Sequence, residues 1–406
     1  MLNVNEVEQI ISELINPIAH QELVSLACAN NRILAENITS NLDFPYWDNS
    51  AMDGYAVKYS DVALASPQNP AILKIIEEIK TGHCPQKKIE MGEASRIFTG
   101  GMLPQGADTI VIQENTMRKD DDVLITHPPS KGEFVRYKAS FYQAGECLIP
   151  AGSRIKPTEI AILATAQCLN IPVVRSPRIA IISTGDELVN PQDKLETGKI
   201  IDSNQYLIAS FLEQNGAIPL PLGIIPDDIN ALEEAVKKAL SEADWIISTG
   251  GVSVGEYDYV DKVIEKLGGE IKVKNVKMKP GKPLTIASFY GNKLYFGIPG
   301  NPVSTMVTCW RLLKNAIALL SGEKNPSPLP IVRGITRNYL RSDGGRETYL
   351  WGYTTIVDGY YQFTIAEGSH SSGNLINLQG VNSLAIIPVG VNLIEMGDDV
   401  SILLIN

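Results

Sequence analysis

IISTGGVSVGEYDYV (residues 246–260) and KMKPGKPLTIASFYGNKLYFGIPGNPVSTM (residues 277–306) are the stretches whose reading decides the fold. In each, a short apolar run meets a tight Gly/Pro turn, and residues at helical spacing follow. That is the order in which a buried strand ends and hands over to a helix. Such a junction presents bare backbone N–H groups, an arrangement that suits an anion and above all a phosphate.

Outward from these stretches, a β/α alternation runs from Arg178 to about Leu320. Residues 179–182 read as a buried strand ending in Ser183-Thr184-Gly185-Asp186-Glu187, and residues 204–215 as a helix. Residues 218–225 form the next strand, closed by Pro226-Asp227-Asp228. An amphipathic helix over 231–243, a strand over 245–247 and a helix over 258–267 continue the series. Strands at 284–287 and 294–298 precede a helix from 302 to 320. Strands alternating with helices of this length predict an α/β chain whose central, doubly wound sheet is mostly parallel, with ligands beyond the carboxyl ends of its strands.

The flanks read differently. Val7, Ile10, Ile11 and Leu14 fall at helical spacing, and Pro17 closes that element. A second helix is expected over residues 22–29, ending at Asn30-Asn31, where asparagine tolerates the left-handed conformation of a helix end. Residues 44–62 mix aromatics with Asp48, Asn49, Ser50 and Asp53; composition alone reads them as a turn over a small local core. Short β-like runs then occupy 73–76, 95–98, 109–112 and 123–125, separated by Gly and Pro, while the helical pattern resumes at Pro157. Past Pro326-Ser327-Pro328 the helical period gives way to short alternating runs, as in a small β-barrel or sandwich. The expected division is an N-terminal helical/linker domain (1–44 and 141–173), an inserted β domain (45–140), the α/β domain (174–325) and a C-terminal β-barrel (326–406).

With 406 residues, 44% of them hydrophobic, the chain is long enough for several cores. It has no apolar run of membrane-spanning length, and its acidic, helix-patterned start is unlike a signal peptide, so a cytoplasmic protein is expected. Cys28, Cys84, Cys147, Cys168 and Cys309 are far apart in sequence, which suggests neither disulfides nor a zinc site. A formal net charge of −11 argues against nucleic acid as a partner. Screening confines that global charge to about 8 Å, so local lysines and backbone donors remain able to capture a small anion.

The chemistry-bearing residues collect at the strand ends. Glu187, Asp227 and Asp258 each follow a strand of the α/β region by a short turn. Carboxylates are poor neighbours of a phosphate unless a cation lies between them, and Mg²⁺, which takes one or two carboxylates with phosphate oxygens and water, is the economical choice. Lys279 and Lys282 in KPGKP add positive charge on a turn stiffened by Pro280, Gly281 and Pro283. In Pro299-Gly300-Asn301-Pro302, Pro302 suits the first helical position and is expected to leave nearby N–H groups facing a ligand. Gly250, Gly251, Ser253 and Gly255 belong to a turn that is neither a P-loop nor a GxGxxG fingerprint. Singly these signals are weak, and an acidic residue at a strand end is ordinarily a helix cap. Their conjunction in one domain points to a phosphate-bearing ligand.

Six segments in order carry a more specific resemblance: DNSAMDGYAV (48–57), RIFTGGMLPQGADTIV (96–111), STGDEL (183–188), STGGVSVGEYDY (248–259), KPGKP (279–283) and GIPGNPVS (297–304). Through them the chain resembles the molybdopterin molybdenumtransferase family, MoeA in bacteria and the gephyrin E domain in animals, over nearly its whole length. The resemblance implies a four-domain subunit whose third domain is like the molybdopterin adenylyltransferase fold, and a homodimer with an inter-subunit active site. It implies Mg²⁺-dependent insertion of molybdate into adenylylated molybdopterin with release of AMP. It also places Asp53 and Thr99 among active-site residues of the second domain and Glu187, Asp227, Asp258, Lys279 and Lys282 among those of the third, with Ser371 in GSHSSGN (368–374) as a further contact. The functional reading thereby replaces the turn-and-core reading of residues 48–53. Two positions depart from the family pattern: Phe141 stands where an acidic residue is usual, and Asn275 where a lysine is usual. Two rival readings follow, a non-catalytic molybdopterin-binding carrier or scaffold, and an enzyme that adenylylates molybdopterin.

Overall fold

A computed structural model of the protein describes residues 1–250 and 259–405. The chain forms two compact units, one of residues 1–36, 152–157 and 170–406, the other of residues 37–151 and 158–169.

The first unit is built on a six-stranded sheet. Arg178–Thr184 lies between Ile218–Ile225 and Trp245–Thr249, and Lys293–Ile298 follows, all four parallel. Thr285–Phe289 and Glu270–Lys274 add two antiparallel strands at one edge. Alternate residues of the central strands enter two different cores, which is why these strands read as unbroken apolar runs. Ile179, Ile181, Trp245, Ile247 and Phe296 pack under the helices Asn204–Gln214 and Pro302–Thr308 and the segments that follow the latter. Ala180, Ile182, Ile246 and Tyr295 pack under the helices Ile229–Glu242 and Tyr259–Lys266. Helices therefore cover both faces, the doubly wound arrangement expected from the alternation.

A buried polar bond links two adjacent strands. Ser248 and Tyr295, both fully buried, share a 2.5 Å hydroxyl–hydroxyl hydrogen bond between adjacent strands. Tyr295→Phe should cost about 1–2 kcal/mol, the desolvation of a stranded Ser248 hydroxyl. Urea unfolding of the variant measures it, with an unchanged midpoint as the contrary result.

Residues 302–320 are helical throughout, but Cys309–Leu313 forms a π-helical turn between the α-helices Pro302–Thr308 and Lys314–Leu320. Beyond them, Ile331–Thr336, Glu347–Val357, Tyr360–Ile365, Ser383–Ile387 and Asp399–Leu404 close into a five-stranded barrel, because Glu347–Val357 pairs with both Tyr360–Ile365 and Ser383–Ile387. Met278–Lys279 adds to its rim, with Lys279 opposite Thr348.

One expected helix is absent. Gln21–Ser25 is a strand paired antiparallel with Asn170–Val174, followed by a 3₁₀ turn at Leu26–Cys28. Its partner lies far along the chain, so tertiary pairing overrides the local period. Asn31 does take a left-handed conformation (φ 65°), though after a turn and not a helix.

The second unit contains another six-stranded sheet, in the order Thr109–Ile112, Gly54–Val57, Glu93–Ile97, Ala71–Ile79, Asp122–Ile125, Thr116–Lys119. Tyr55, Val57, Leu73, Val111, Val123 and Ile125 fill one core, and Ile79, Ile89, Ile97 and Ile110 another. Tyr46 and Trp47 are partly exposed and form no buried local core.

Candidate active site

At the carboxyl ends of the parallel strands the first unit opens into a cavity of about 640 Å³. Three strand ends contribute directly: Thr184 and Glu187 after the first, Thr249 and Gly250 after the third, and Pro299, Gly300 and Asn301 after the fourth. Gly250 has φ +84°, and a Cβ there would lie 2.3 Å from the Thr184 carbonyl oxygen. Only glycine lets this turn approach the neighbouring strand so closely. Gly300 stacks on it, its ideal Cβ position being 3.5 Å from Gly250 Cα. The Thr184 hydroxyl donates to Thr249 O at 3.2 Å and ties the two strand ends together.

Glu187 lines the cavity as an exposed residue whose backbone is fixed, since its carbonyl accepts Ile200 N–H at 2.8 Å. Gly185 (φ +145°) passes directly beneath its side chain, for a Cβ there would meet the carboxylate at 2.5 Å. Asp227 does not line the cavity. Its N–H donates to Asp186 Oδ1 at 3.2 Å, while its neighbour Asp228 is the helix cap, accepting from Asn230 and Ala231 N–H at 3.0 and 2.9 Å. Gly251, Ser253, Gly255 and Asp258 lie outside the described residues.

The two lysines stand differently from expectation. Neither Lys279 nor Lys282 lines the cavity, although Pro283 does. Lys279 Nζ donates to Asp343 Oδ2 at 2.9 Å, and Arg346 reaches the same oxygen at 3.4 Å. Lys279 foremost, with Gly345 N–H, holds the Asp343 carboxyl below its usual range. Asp343 belongs to the turn before the long barrel strand, so the KPGKP charge is met by the C-terminal region. Gly281 is left-handed (φ +113°), with Met278 Cε 2.4 Å from where a Cβ would stand.

At the PGNP turn, Pro302 occupies the helix start as expected, but the adjacent donor is not free. Val303 N–H donates to Ser372 O at 3.1 Å, and Asn301 Nδ2 to Ser372 Oγ at 2.9 Å. The 368–374 loop therefore docks on this turn. Gly373 and Leu375 reach the cavity while Ser371 itself does not line it. Sequence reasoning missed Asp202 and Asn204, which line the cavity at the start of the Asn204–Gln214 helix. Asp-Ser-Asn before a helix reads as a cap and nothing more.

Comparison with known proteins places the chain in a family. Family models for the MoeA N-terminal region (domain I and II), a probable molybdopterin binding domain and the MoeA C-terminal region (domain IV) match residues 2–166, 180–318 and 333–405. A molybdopterin molybdenumtransferase of Nostoc sp. is 48% identical over 408 residues, covering 99% of this chain and 94% of that protein. The chain belongs to the molybdopterin molybdenumtransferase family. A Bacillus subtilis member is 33% identical, covering 95% of this chain and 90% of its own. The crystal structure of a molybdopterin biosynthesis moeA protein from Pyrococcus horikoshii superposes with a TM-score of 0.84 at 27% identity, covering all of both chains.

The second unit holds the Asp53–Thr99 pair. Thr99 donates both its N–H (2.7 Å) and its hydroxyl (2.8 Å) to Asp53 Oδ1. These two bonds, the backbone one foremost, hold the Asp53 carboxyl below its ordinary range, so it is ionised at neutral pH. Both bonds go to Oδ1. As for Mg²⁺, no group of three or more His, Cys, Asp or Glu able to hold a metal comes together among the described residues. Magnesium does not need one, because it is commonly held by one or two carboxylates with phosphate and water. Glu187, on the cavity wall, suits that sparse mode. Among the described residues no helix is long and apolar enough to cross a membrane.

Proposed function

We propose that this enzyme inserts molybdate into adenylylated molybdopterin and releases AMP, with Mg²⁺ required. The observation that carries the reading is the cavity at three parallel strand ends, glycine-lined where the backbone must approach a ligand and bearing Glu187 on its wall. In this reading, Glu187 and the family-matched Asp227 and Asp258 hold the metal. When bound, Mg²⁺ supplies the positive charge that lets a diphosphate lie beside carboxylates in a chain of net charge −11.

The chain's own groups do the rest. Gly250, Gly251, Ser253 and Gly255, with Pro299, Gly300 and Asn301, hold the nucleotide by close backbone approach. Lys279 and Lys282, beside Gly281, approach the phosphates. Lys279 can leave Asp343 for them at little cost, because a pair exposed to this degree (43% and 45%) is worth only about 0–1 kcal/mol. Asp53, kept ionised by Thr99, and Ser371 are the remaining residues that the family reading assigns to the substrates. Water cleaves the phosphoanhydride and AMP leaves, and the two dithiolene sulfurs displace one oxygen of molybdate, which departs as water with the two thiol protons. The reading includes a four-domain subunit, a cytoplasmic homodimer with an inter-subunit site, and no nucleic-acid or membrane partner. Phe141, 68% exposed, stands where the family usually supplies a further carboxylate, and Asn275, left-handed at φ 65°, where it supplies a lysine. Neither belongs to the cavity.

Substrate choice separates this reading from its rivals. Purified protein should consume adenylylated molybdopterin and leave ATP untouched when given free molybdopterin. ATP consumption would show an adenylyltransferase, and tight binding without turnover a carrier.

A further inference from the structure

Three side-chain oxygens at the start of the Asn204–Gln214 helix are buried without a hydrogen-bond donor among the described residues: Asp202 Oδ2, Asn204 Oδ1 and Gln205 Oε1. Asp202 is 2% exposed and Asn204 8%, and both line the cavity. Asp202 Oδ1 accepts Gln205 N–H at 3.2 Å, the bond an aspartate makes at a helix start. Oδ2 is surplus to that role. The Asn204 amide has a defined orientation, because Nδ2 donates to Gly300 O at 2.6 Å and so leaves Oδ1 over. A buried acceptor left unpaired is costly, and native proteins keep few of them unless something supplies the partner. Oδ1 of Asp202 already accepts a backbone N–H, and the amide oxygen of Asn204 only accepts. The missing partner is a donor.

We infer that Asp202 and Asn204 read the N–H edge of the pterin ring, its ring N–H and exocyclic amino group. The inference rests on the proposed function, which puts a pterin nucleotide in this cavity, and it assigns which end lies where. The aminopyrimidinone edge of a pterin carries two adjacent N–H donors. Adenine offers one amino group flanked by ring acceptors that would oppose a carboxylate, and ribose hydroxyls accept as well as donate. Leu188, Ile200, Ile201 and Leu375 line the same cavity and supply the apolar surface that a flat ring needs. The pterin therefore lies toward residues 202–204, and the phosphates toward Glu187.

Asp202→Asn tests this while sparing the bond to Gln205, since asparagine retains the oxygen that accepts Gln205 N–H and replaces the orphan acceptor with an amino group. Two probes are titrated separately into the full-length protein: a fluorescent oxidised pterin carrying a side-chain monophosphate, and AMP. The variant should bind the pterin about tenfold more weakly or worse and AMP as before. A ligand-side comparison needs no variant. The same pterin phosphate without its 2-amino group should bind the parent protein about tenfold more weakly, and Asp202→Asn should largely abolish that discrimination. Loss of AMP binding instead would show that Asp202 holds the ribose. Unchanged binding of both probes, or equal discrimination by both proteins, would show that water satisfies these oxygens. Either result overturns the inference alone, whereas failure of both probes to bind the parent protein overturns the proposed function with it.

Discussion

Glu187→Ala should lower the rate of AMP release by about a hundredfold or more, the loss typical when one electrostatic group aimed at developing charge is removed, while leaving stability within about 0.5 kcal/mol. The two halves of the expectation have separate causes. The side chain is exposed on the cavity wall, and its carboxylate accepts no hydrogen bond among the described residues, so the folded state does not depend on it. Its position is nonetheless fixed, by the carbonyl bond to Ile200 and by a glycine beneath its carboxylate. Gly185→Ala should therefore mimic the loss in part by displacing the carboxylate. Single-turnover AMP release against Mg²⁺ concentration, with denaturant unfolding alongside, measures both. A Glu187→Ala enzyme with the parent's rate and metal response would remove Glu187 from the site.

Gly250→Ala should destabilise the first unit by about 3 kcal/mol or more and abolish activity at temperatures where the parent works. A left-handed backbone at φ +84° already disfavours any Cβ, and here the added carbon would stand 2.3 Å from a backbone carbonyl and 2.9 Å from the Thr184 hydroxyl. Backbone cannot rotate away as a side chain can. The strand ends would have to separate, widening the cavity between Thr184 and Gly300. Equilibrium unfolding in urea decides this; a parent-like midpoint would mean that the turn relaxes without strain.

Much of this architecture was legible in the sequence because burial on both faces leaves a plain signature. Residues 179–182 and 245–247 are apolar without interruption since their alternate side chains enter different cores. The same one-dimensional signal fails where the deciding partner is remote. Residues 22–29 carry a helical period, yet their pairing with Asn170–Val174 makes residues 21–25 a strand. The site divides in the same way. Glycines at strand ends announce close backbone approach, and Glu187 and Gly250 meet at the cavity as their positions imply. Nothing near KPGKP announces that Lys279 is held by Asp343, which belongs to the barrel region. Asp202 looks like a cap and does accept a helix-start N–H, that of Gln205; only the three-dimensional surroundings show its second oxygen lacking a donor among the described residues. The family resemblance adds Asp53 and Thr99, and their hydrogen bonds give the carboxylate a physical reason to stay charged.

The most direct measurement follows molybdenum and nucleotide together. Purified protein is given adenylylated molybdopterin, molybdate and Mg²⁺, and free AMP and molybdenum-loaded pterin are quantified over one turnover. The account predicts that the two appear in equal amounts, at matching rates, and only when the divalent ion is present. Tight retention of the intact nucleotide, with neither product formed at any Mg²⁺ concentration, would contradict it.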